Sequence, residues 1–240
     1  MEAGADFLYL LERGYDRRVA LDLVTGRWSL SRLERLALYR CVFDSATSAA
    51  RRRKLVRQIP ERLAIDGFNV LSTVQAALIG DVLVKATDGF VRDLSATVRK
   101  VRVTPILVSA LSLTLLYLAK AEPREVLIVF DAQVSKSGEL AGAARGLMAS
   151  LSLNGSALTS RRADACLSSL SSSYVIATSD SVVVDRAPKV MDLGGKIAAI
   201  VAGEKVINLG ALISAKVAEV AEAFAERASE ADEEDGDKGA

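Results

Sequence analysis

Three apolar runs in this chain each close on an aspartate. They are RLAID ending at Asp66, EVLIVFD ending at Asp131 and SYVIATSD ending at Asp180. Their length and β-branched content predict buried strands of a parallel sheet. Between them the apolar spacing turns helical, over Val70 to Leu78, from Val91, and over Pro105 to Ala121 with proline in the first turn. Ser137 is expected to cap a helix running through GELAGAARGLMASL, with Glu139 in its first turn. A short strand SALTS and a short helix ADACLSSL precede the third run, and a short strand VLV is expected within the loop from Gly80 to Asp88. KVMDL and KVINL read as edge strands, and a last helix covers about Leu212 to Ala228. Strands alternating with helices predict an α/β fold, a mostly parallel sheet with helices on both faces.

The front of the chain differs. Residues 1–58 carry helical spacing throughout. One helix holds Phe7, Leu8, Leu10 and Leu11 and stops at Gly14. A second runs from Arg17 to Val24 and closes at Thr25-Gly26. A third begins at Ser29 or Ser31 and continues through Val42 and Phe43 to the basic run Arg51-Arg52-Arg53-Lys54. Pro60 marks the boundary. The predicted organisation is a small all-helical module over 1–58, an α/β domain over 59–228 and a disordered acidic tail over 229–240.

Charge sharpens this division. The chain has 240 residues and a net charge of +1. From Arg13 to Arg62, however, 13 Arg and Lys stand against 5 Asp and Glu, while from Glu219 to Lys238 9 acids face 2 bases. A basic front is the footprint of a nucleic-acid backbone, or a solvated helix surface. Histidine is absent, which excludes Ser-His-Asp and Cys-His nucleophile systems and any His-ligated metal. Cys41 and Cys166 offer neither a disulfide framework nor zinc spacing and read as buried thiols. The first residues, MEAGADFLYLLERGYDRR, lack the basic start and apolar run expected of a signal peptide, and the apolar stretch from Pro105 to Ala119 is short of the ~20 residues that span a bilayer. A cytoplasmic protein with no membrane contact is expected, with a homodimer left open.

Strand-end aspartates at one edge of an α/β sheet would converge where ligands bind. Clustered carboxylates repel unless a proton or cation sits among them, and hard oxygen ligands suit Mg²⁺ or Mn²⁺. The structural alternative is that each aspartate simply opens a turn after its strand. Two further segments carry candidate phosphate contacts. Ser135, Lys136 and Ser137 precede a helix N-terminus. Arg92, in the segment DGFVRD, offers a bidentate donor or a structural ion pair. Gly194-Gly195-Lys196 lacks the spacing of a phosphate loop and reads as a turn.

The segment Ile65-Asp66-Gly67-Phe68-Asn69 resembles the opening motif of the NYN/PIN-like nuclease superfamily. Val129-Phe130-Asp131, Ala163-Asp164 and Thr178-Ser179-Asp180 resemble its later motifs, in the same order. The resemblance implies metal ligation by Asp66, Asp131 and Asp180, assisted by Asp164, and a positioning role for Asn69. The chain departs from the superfamily at Ala165-Cys166, where a second acid is common; Asp185 is the candidate replacement. Nearly the whole chain also resembles an archaeal family known as domain of unknown function 434. That likeness rests on LL-x-RGY at Leu10 to Tyr15, DGFVRD at Asp88 to Asp93, S-x-SGEL at Ser135 to Leu140 and TSDS-x-x-x-D at Thr178 to Asp185, and brings no activity.

The resulting expectation is a Mg²⁺- or Mn²⁺-dependent phosphodiesterase, an endoribonuclease of PIN/NYN-like type. Asp66, Asp131, Asp180 and Asn69 would be catalytic, and Asp164 and Asp185 would complete the metal set. RNA would lie on Ser135, Lys136, Ser137, Arg92, Arg51, Arg52, Arg53 and Lys54. The alternative is a non-catalytic RNA-binding or scaffold protein on a degenerate nuclease fold.

Overall fold

The strand Arg62–Asp66 (β1) occupies the middle of a five-stranded sheet. The structure, a computed structural model, describes residues 2–94, 102–219 and 222. Glu125–Asp131 (β4) and Gly155–Ser160 (β5) lie on one side of β1; Val175–Ala177 (β6) and Val190–Met191 (β7) lie on the other. Every pairing in this sheet is parallel. The chain moves outward from β1 to β4 and β5, then returns to begin again at β6. The strand order therefore reverses beside β1, and ligands of such sheets bind at that reversal, outside the carboxyl ends of the strands.

Alternation along the strands builds two cores. Leu63 and Ile65 of β1, with Val126, Ile128 and Phe130 of β4, pack under the helices Gly67–Ile79 (α5), Pro105–Ala121 (α6), Ser137–Ser150 (α7) and Leu193–Ala202 (α10). Ala64, Val129, Ile176 and Val190 face the other way, toward Ala163–Leu170 (α8) and Ser181–Arg186 (α9). Helices cover both faces, as the α/β reading requires. Among the described residues, no helix is long and apolar enough to cross a membrane.

The helical front consists of Glu2–Glu12 (α1), Arg17–Trp28 (α2), Arg32–Cys41 (α3) and Ser45–Lys54 (α4). Gly26, expected to end α2, lies inside it; the helix ends at Ser29, which takes the left-handed conformation. The expected long third helix is two helices. The Arg17 guanidinium donates to the carbonyls of Tyr39 and Val42, which takes up the end of α3. Phe43 then donates its N–H to Thr87, and Asp44 caps the new helix through the Thr47 N–H.

A second sheet was not legible as such. Leu83–Lys85 (β2) pairs antiparallel with Val91–Asp93 (β3), and Ile207–Asn208 (β8) adds in parallel to β2. Val91 was expected to begin a helix. It lies instead in a hairpin that turns over Gly89, whose φ of 91° suits glycine. The Gly194-Gly195-Lys196 turn is instead the first turn of α10. Gly194 lies against Thr73 and the Val70 carbonyl, and a Cβ on Gly195 would strike the Asp192 carboxylate that caps the helix. Residues 209–219 are helical (α11), three residues earlier than expected. Ile213 of α11 packs with Phe7, Leu21, Val24 and Leu38 into the core of the helical front. The predicted disordered tail, 229–240, lies outside the described residues.

Front, hairpin and sheet meet at one buried carboxylate. Asp88 is 0% exposed, and both its oxygens accept from Arg92, at 2.8 and 2.7 Å. Arg51 of α4 adds a third bond at 2.9 Å. The Phe43 ring lies beneath the Arg51, Arg17 and Arg92 guanidiniums, 4.2, 4.6 and 5.1 Å from its centroid. Asp88→Asn keeps the shape but leaves buried Arg92 without its carboxylate and Arg51 with Asp185 alone. We expect a loss of roughly 3–5 kcal/mol, read as a lowered denaturant midpoint; a loss below ~1 kcal/mol, the level of an exposed pair, would show the cluster to be dispensable.

Candidate active site

Each residue at the end of β1 has a physical reason to be there. A Cβ on Gly67 would overlap the Phe130 ring, so α5 can start directly after Asp66 only with glycine. Phe68 packs edge-on against Phe130, with 5.2 Å between ring centroids. Asn69 reaches across the order reversal: its Oδ1 accepts from the Ser179 N–H at 2.8 Å and from the Ser179 hydroxyl at 3.1 Å. Thr178 donates its hydroxyl to Asp66 Oδ2 at 2.9 Å. The opening motif and the Thr-Ser-Asp motif are thus one hydrogen-bonded unit joining β1 to the end of β6.

Asp180 caps α9, its Oδ1 accepting from the N–H groups of Val182 and Val183. Asp131 makes a comparable turn, its Oδ1 accepting from Gln133 N–H. The structural alternative therefore holds for both, and each keeps its second oxygen uncommitted by any hydrogen bond among the described residues. Asp66, Asp131 and Asp180 all sit at the carboxyl edge, and Asp66 and Asp131 point to the same face by strand alternation. Asp131 nonetheless stands off: β1 ends level with Val129, so Asp131 lies two residues, roughly 7 Å, further out along its strand.

Asp164, in the first turn of α8, belongs to the Asp66 environment. Burial pushes the Asp66 carboxyl up to about 7, and the charges of Asp180 and Asp164 push in the same direction. The Thr178 hydroxyl and the Asn69 backbone oppose them. Asp66 is therefore poised near neutrality, holding a proton that a cation could displace. The acidic donors are all hard oxygens. Among the described residues, however, no group of three or more acids or thiols stands close enough to grip one ion. Mg²⁺ typically uses one or two carboxylates, keeping waters and taking substrate phosphate for the rest, so the Asp66–Asp180 pair with Asp164 nearby fits that manner of binding.

Several predicted residues lie elsewhere in function. Asp185 is gripped by Arg51 through two bonds of 2.7 and 2.8 Å, which holds its carboxyl below the usual range and removes it from the metal set. Arg51 and Arg92 are 5% and 2% exposed and belong to the Asp88 cluster, so neither is a surface phosphate contact. Lys54 donates to the carbonyls of Val184 and Asp185. Arg52 reaches the Thr87 carbonyl but remains exposed, as does Arg53. Ser137 is buried and does not cap α7; the cap position is Lys136, left-handed at φ 66°, with no side-chain cap bond. Ser135 and Lys136 are exposed. Cys166 is half-buried rather than buried, and both cysteines are free thiols.

Sequence reasoning gave Thr178 and Ser179 no role beyond their motif, and passed over Arg161-Arg162. These arginines follow β5 directly and precede Asp164, so they too stand at the carboxyl edge. The available signal was their position between a strand end and a candidate ligand.

An α/β domain of this reversing order, with an acidic carboxyl edge and a helical front, defines the class. Residues 57–196 match the family described as a domain of unknown function (DUF5616), and the chain belongs to that family. Residues 1–54 match a protein of unknown function (DUF434). The likeness to family 434 is thus confined to the helical front. The chain is 34% identical over 186 residues to the uncharacterized protein MJ0935 of Methanocaldococcus jannaschii, an alignment covering 76% of this chain and 88% of the relative. No solved structure matches the chain.

The raised Asp66 value gives a pH signature for metal-free protein. Unfolded, this carboxyl ionises near 3.8; folded, it keeps its proton to about 7. The unfolded state thus binds fewer protons between those limits, and stability falls as pH rises through them, by at most roughly 4 kcal/mol. Asp66→Asn should remove this slope and exceed the wild type in thermal midpoint at pH 8. Parallel stability curves from pH 4 to 8 would show that the carboxyl is not desolvated.

Proposed function

We propose that the protein is a metal-dependent phosphodiesterase, a ribonuclease of PIN/NYN-like type. The observation that carries this reading is the Asp66 carboxyl. It is desolvated at the order reversal, tied to Asn69 and Thr178–Ser179, and pressed by two further carboxylates. Burying a carboxylate beside others costs stability, and functional sites are where such shifts gather. The four motifs shared with the NYN/PIN-like superfamily support the same chemistry.

Asp66 and Asp180 would hold Mg²⁺ or Mn²⁺, with Asp164 beside them and Asp131 further out on the substrate side. A divalent cation there would supply Lewis acidity and a water acidified enough to act at neutral pH. Thr178 orients one oxygen of Asp66, and Asn69 fixes the β6–α9 turn so that the free oxygen of Asp180 keeps its place. With no histidine in the chain, proton movement at this site falls to carboxylates or metal-bound water.

One observation favours a second reading. The acids do not form a group of three around a single point among the described residues, and Asp185 is committed to Arg51. A non-catalytic RNA-binding or scaffold protein on a nuclease-like fold would keep such a partial set.

The two readings separate by calorimetric titration of Mn²⁺ alongside a cleavage assay on labelled single-stranded RNA. The enzyme reading expects Mn²⁺ binding, a thermal midpoint that rises with Mn²⁺ by mass action, and metal-dependent cleavage. Asp66→Asn should weaken Mn²⁺ binding at least tenfold and abolish cleavage. RNA binding with neither Mn²⁺ uptake at millimolar concentration nor cleavage would establish the second reading.

A further inference from the structure

We propose that Lys136, Arg161 and Arg162 form the phosphate-backbone contact of a single-stranded RNA, on the β4–β5 flank of the carboxyl edge. This assignment rests on the functional reading above only for the class of ligand, and it moves the binding surface away from the basic run Arg51–Lys54.

The first argument is placement. Asp131 pairs with Ser160 in the β4–β5 register, and the Ala132 N–H donates to the Ser160 carbonyl. The segment that leaves β4 and the turn that leaves β5 are therefore neighbours at one edge. The first carries Lys136 and the second carries Arg161 and Arg162. The Arg162 N–H donates to the Ser160 hydroxyl, which fixes the turn. The end of β5 is two strand spacings from β1, roughly 10 Å. A chain lying across the edge at Asp66 must continue over this flank or over the opposite one.

The second argument is availability. Lys136, Arg161 and Arg162 are all exposed, and their side chains have no hydrogen bond or ion pair among the described residues. Three exposed cations at a strand-end edge, none neutralised by a protein partner, are free to replace the counterions of a polyanion. The basic run of α4 is different. Arg51 is spent on Asp88 and Asp185, Lys54 on two carbonyls, and Arg52 on a third. Leu55, next in the chain, bridges in parallel to Val190 at the start of β7. The run thus enters beside β7, on the side of the sheet opposite β5.

The third argument is the helix that follows. α8 packs over β1 and β4 and sinks Leu167 beside Ala64 and Val129. Its first turn carries Asp164, and the two arginines precede it. The acids Asp131, at the end of β4, and Asp164, two residues after Arg162, stand at the same carboxyl edge. Cations interleaved with them would hold phosphates on either side of the acidic site and keep an anionic chain from being repelled by it.

The test is binding of a labelled single-stranded RNA by the full chain in EDTA, over a salt series. No cleavage is needed, so failure of the nuclease reading does not affect it. The triple variant Lys136→Ala, Arg161→Ala, Arg162→Ala should lose at least tenfold in affinity at low salt. Its log–log salt slope should be shallower by about 2, at ~0.7 per lost contact to a single strand. Arg52→Ala, Arg53→Ala should change affinity less than threefold. Charge reversal by Arg161→Glu alone, which leaves every contact of the fold in place, should weaken binding further than Arg161→Ala. The proposal is overturned if the double variant loses the affinity and the triple does not, or if the wild type binds no RNA.

Discussion

Asp88 is the constraint on which the arrangement of this molecule depends. A carboxylate with no solvent contact must have its charge answered within the protein. Two arginines answer it, one from the hairpin and one from the helical front. Arg92 continues beyond the pair, donating through Nε to the Ser179 carbonyl at 3.2 Å. Ser179 in turn donates to Asn69. A chain of polar contacts therefore runs from α4 through Asp88 and Arg92 to the turn that carries Asp180. The helical front does not merely precede the α/β domain; it completes the support of the acidic edge.

That support explains why the basic run is a poor guide to binding. Sequence counts charges without knowing which are spent. Arg51 is consumed because it is the residue of α4 that faces both Asp88 and Asp185. A bidentate, planar cation stacked on Phe43 is suited to a buried role in which lysine would leave donors misdirected. The segment DGFVRD had two readings from sequence, a phosphate clamp or an internal ion pair. Spacing of four across a tight turn closes the pair on itself.

The main sheet was legible because buried parallel strands carry long apolar runs, and its covering helices because of their periodicity. The Asp-Gly-Phe-Asn segment was legible as a motif, and packing supplies its causes: Gly67 yields to Phe130, Phe68 meets the same ring, Asn69 holds Ser179. Of the second sheet, the segments VLV and KVINL were legible as strands, but the strand Val91–Asp93 and the pairing of the three were not. Its strands have three, three and two residues, too few to show a period, and tertiary bonds decide them. The Val91 N–H goes to Asp192, a residue 101 positions away, and no local pattern reports that. The break between α3 and α4 has the same origin, since Arg17 captures the carbonyls that would have continued the helix.

The strand-end aspartates show why turn chemistry and ligand chemistry are hard to tell apart from sequence, and why they need not compete. Asp180 offers one oxygen to the N–H groups of α9 and keeps the other. The capping bonds fix the direction of the carboxylate, which is what a ligand to a hard cation requires. Asp131 does the same from its own turn. Asp66 is the exception, because α5 begins without a side-chain cap from it. Its oxygens are left to the Thr178 hydroxyl, the Asn69 backbone and the space beside Asp180 and Asp164. Asp192 is buried, and both its oxygens accept backbone N–H groups, from Val91 and Gly195. Asp192 thus spends its carboxylate on the fold, and half-buried Asp66 is the one whose oxygens the proposed metal would need.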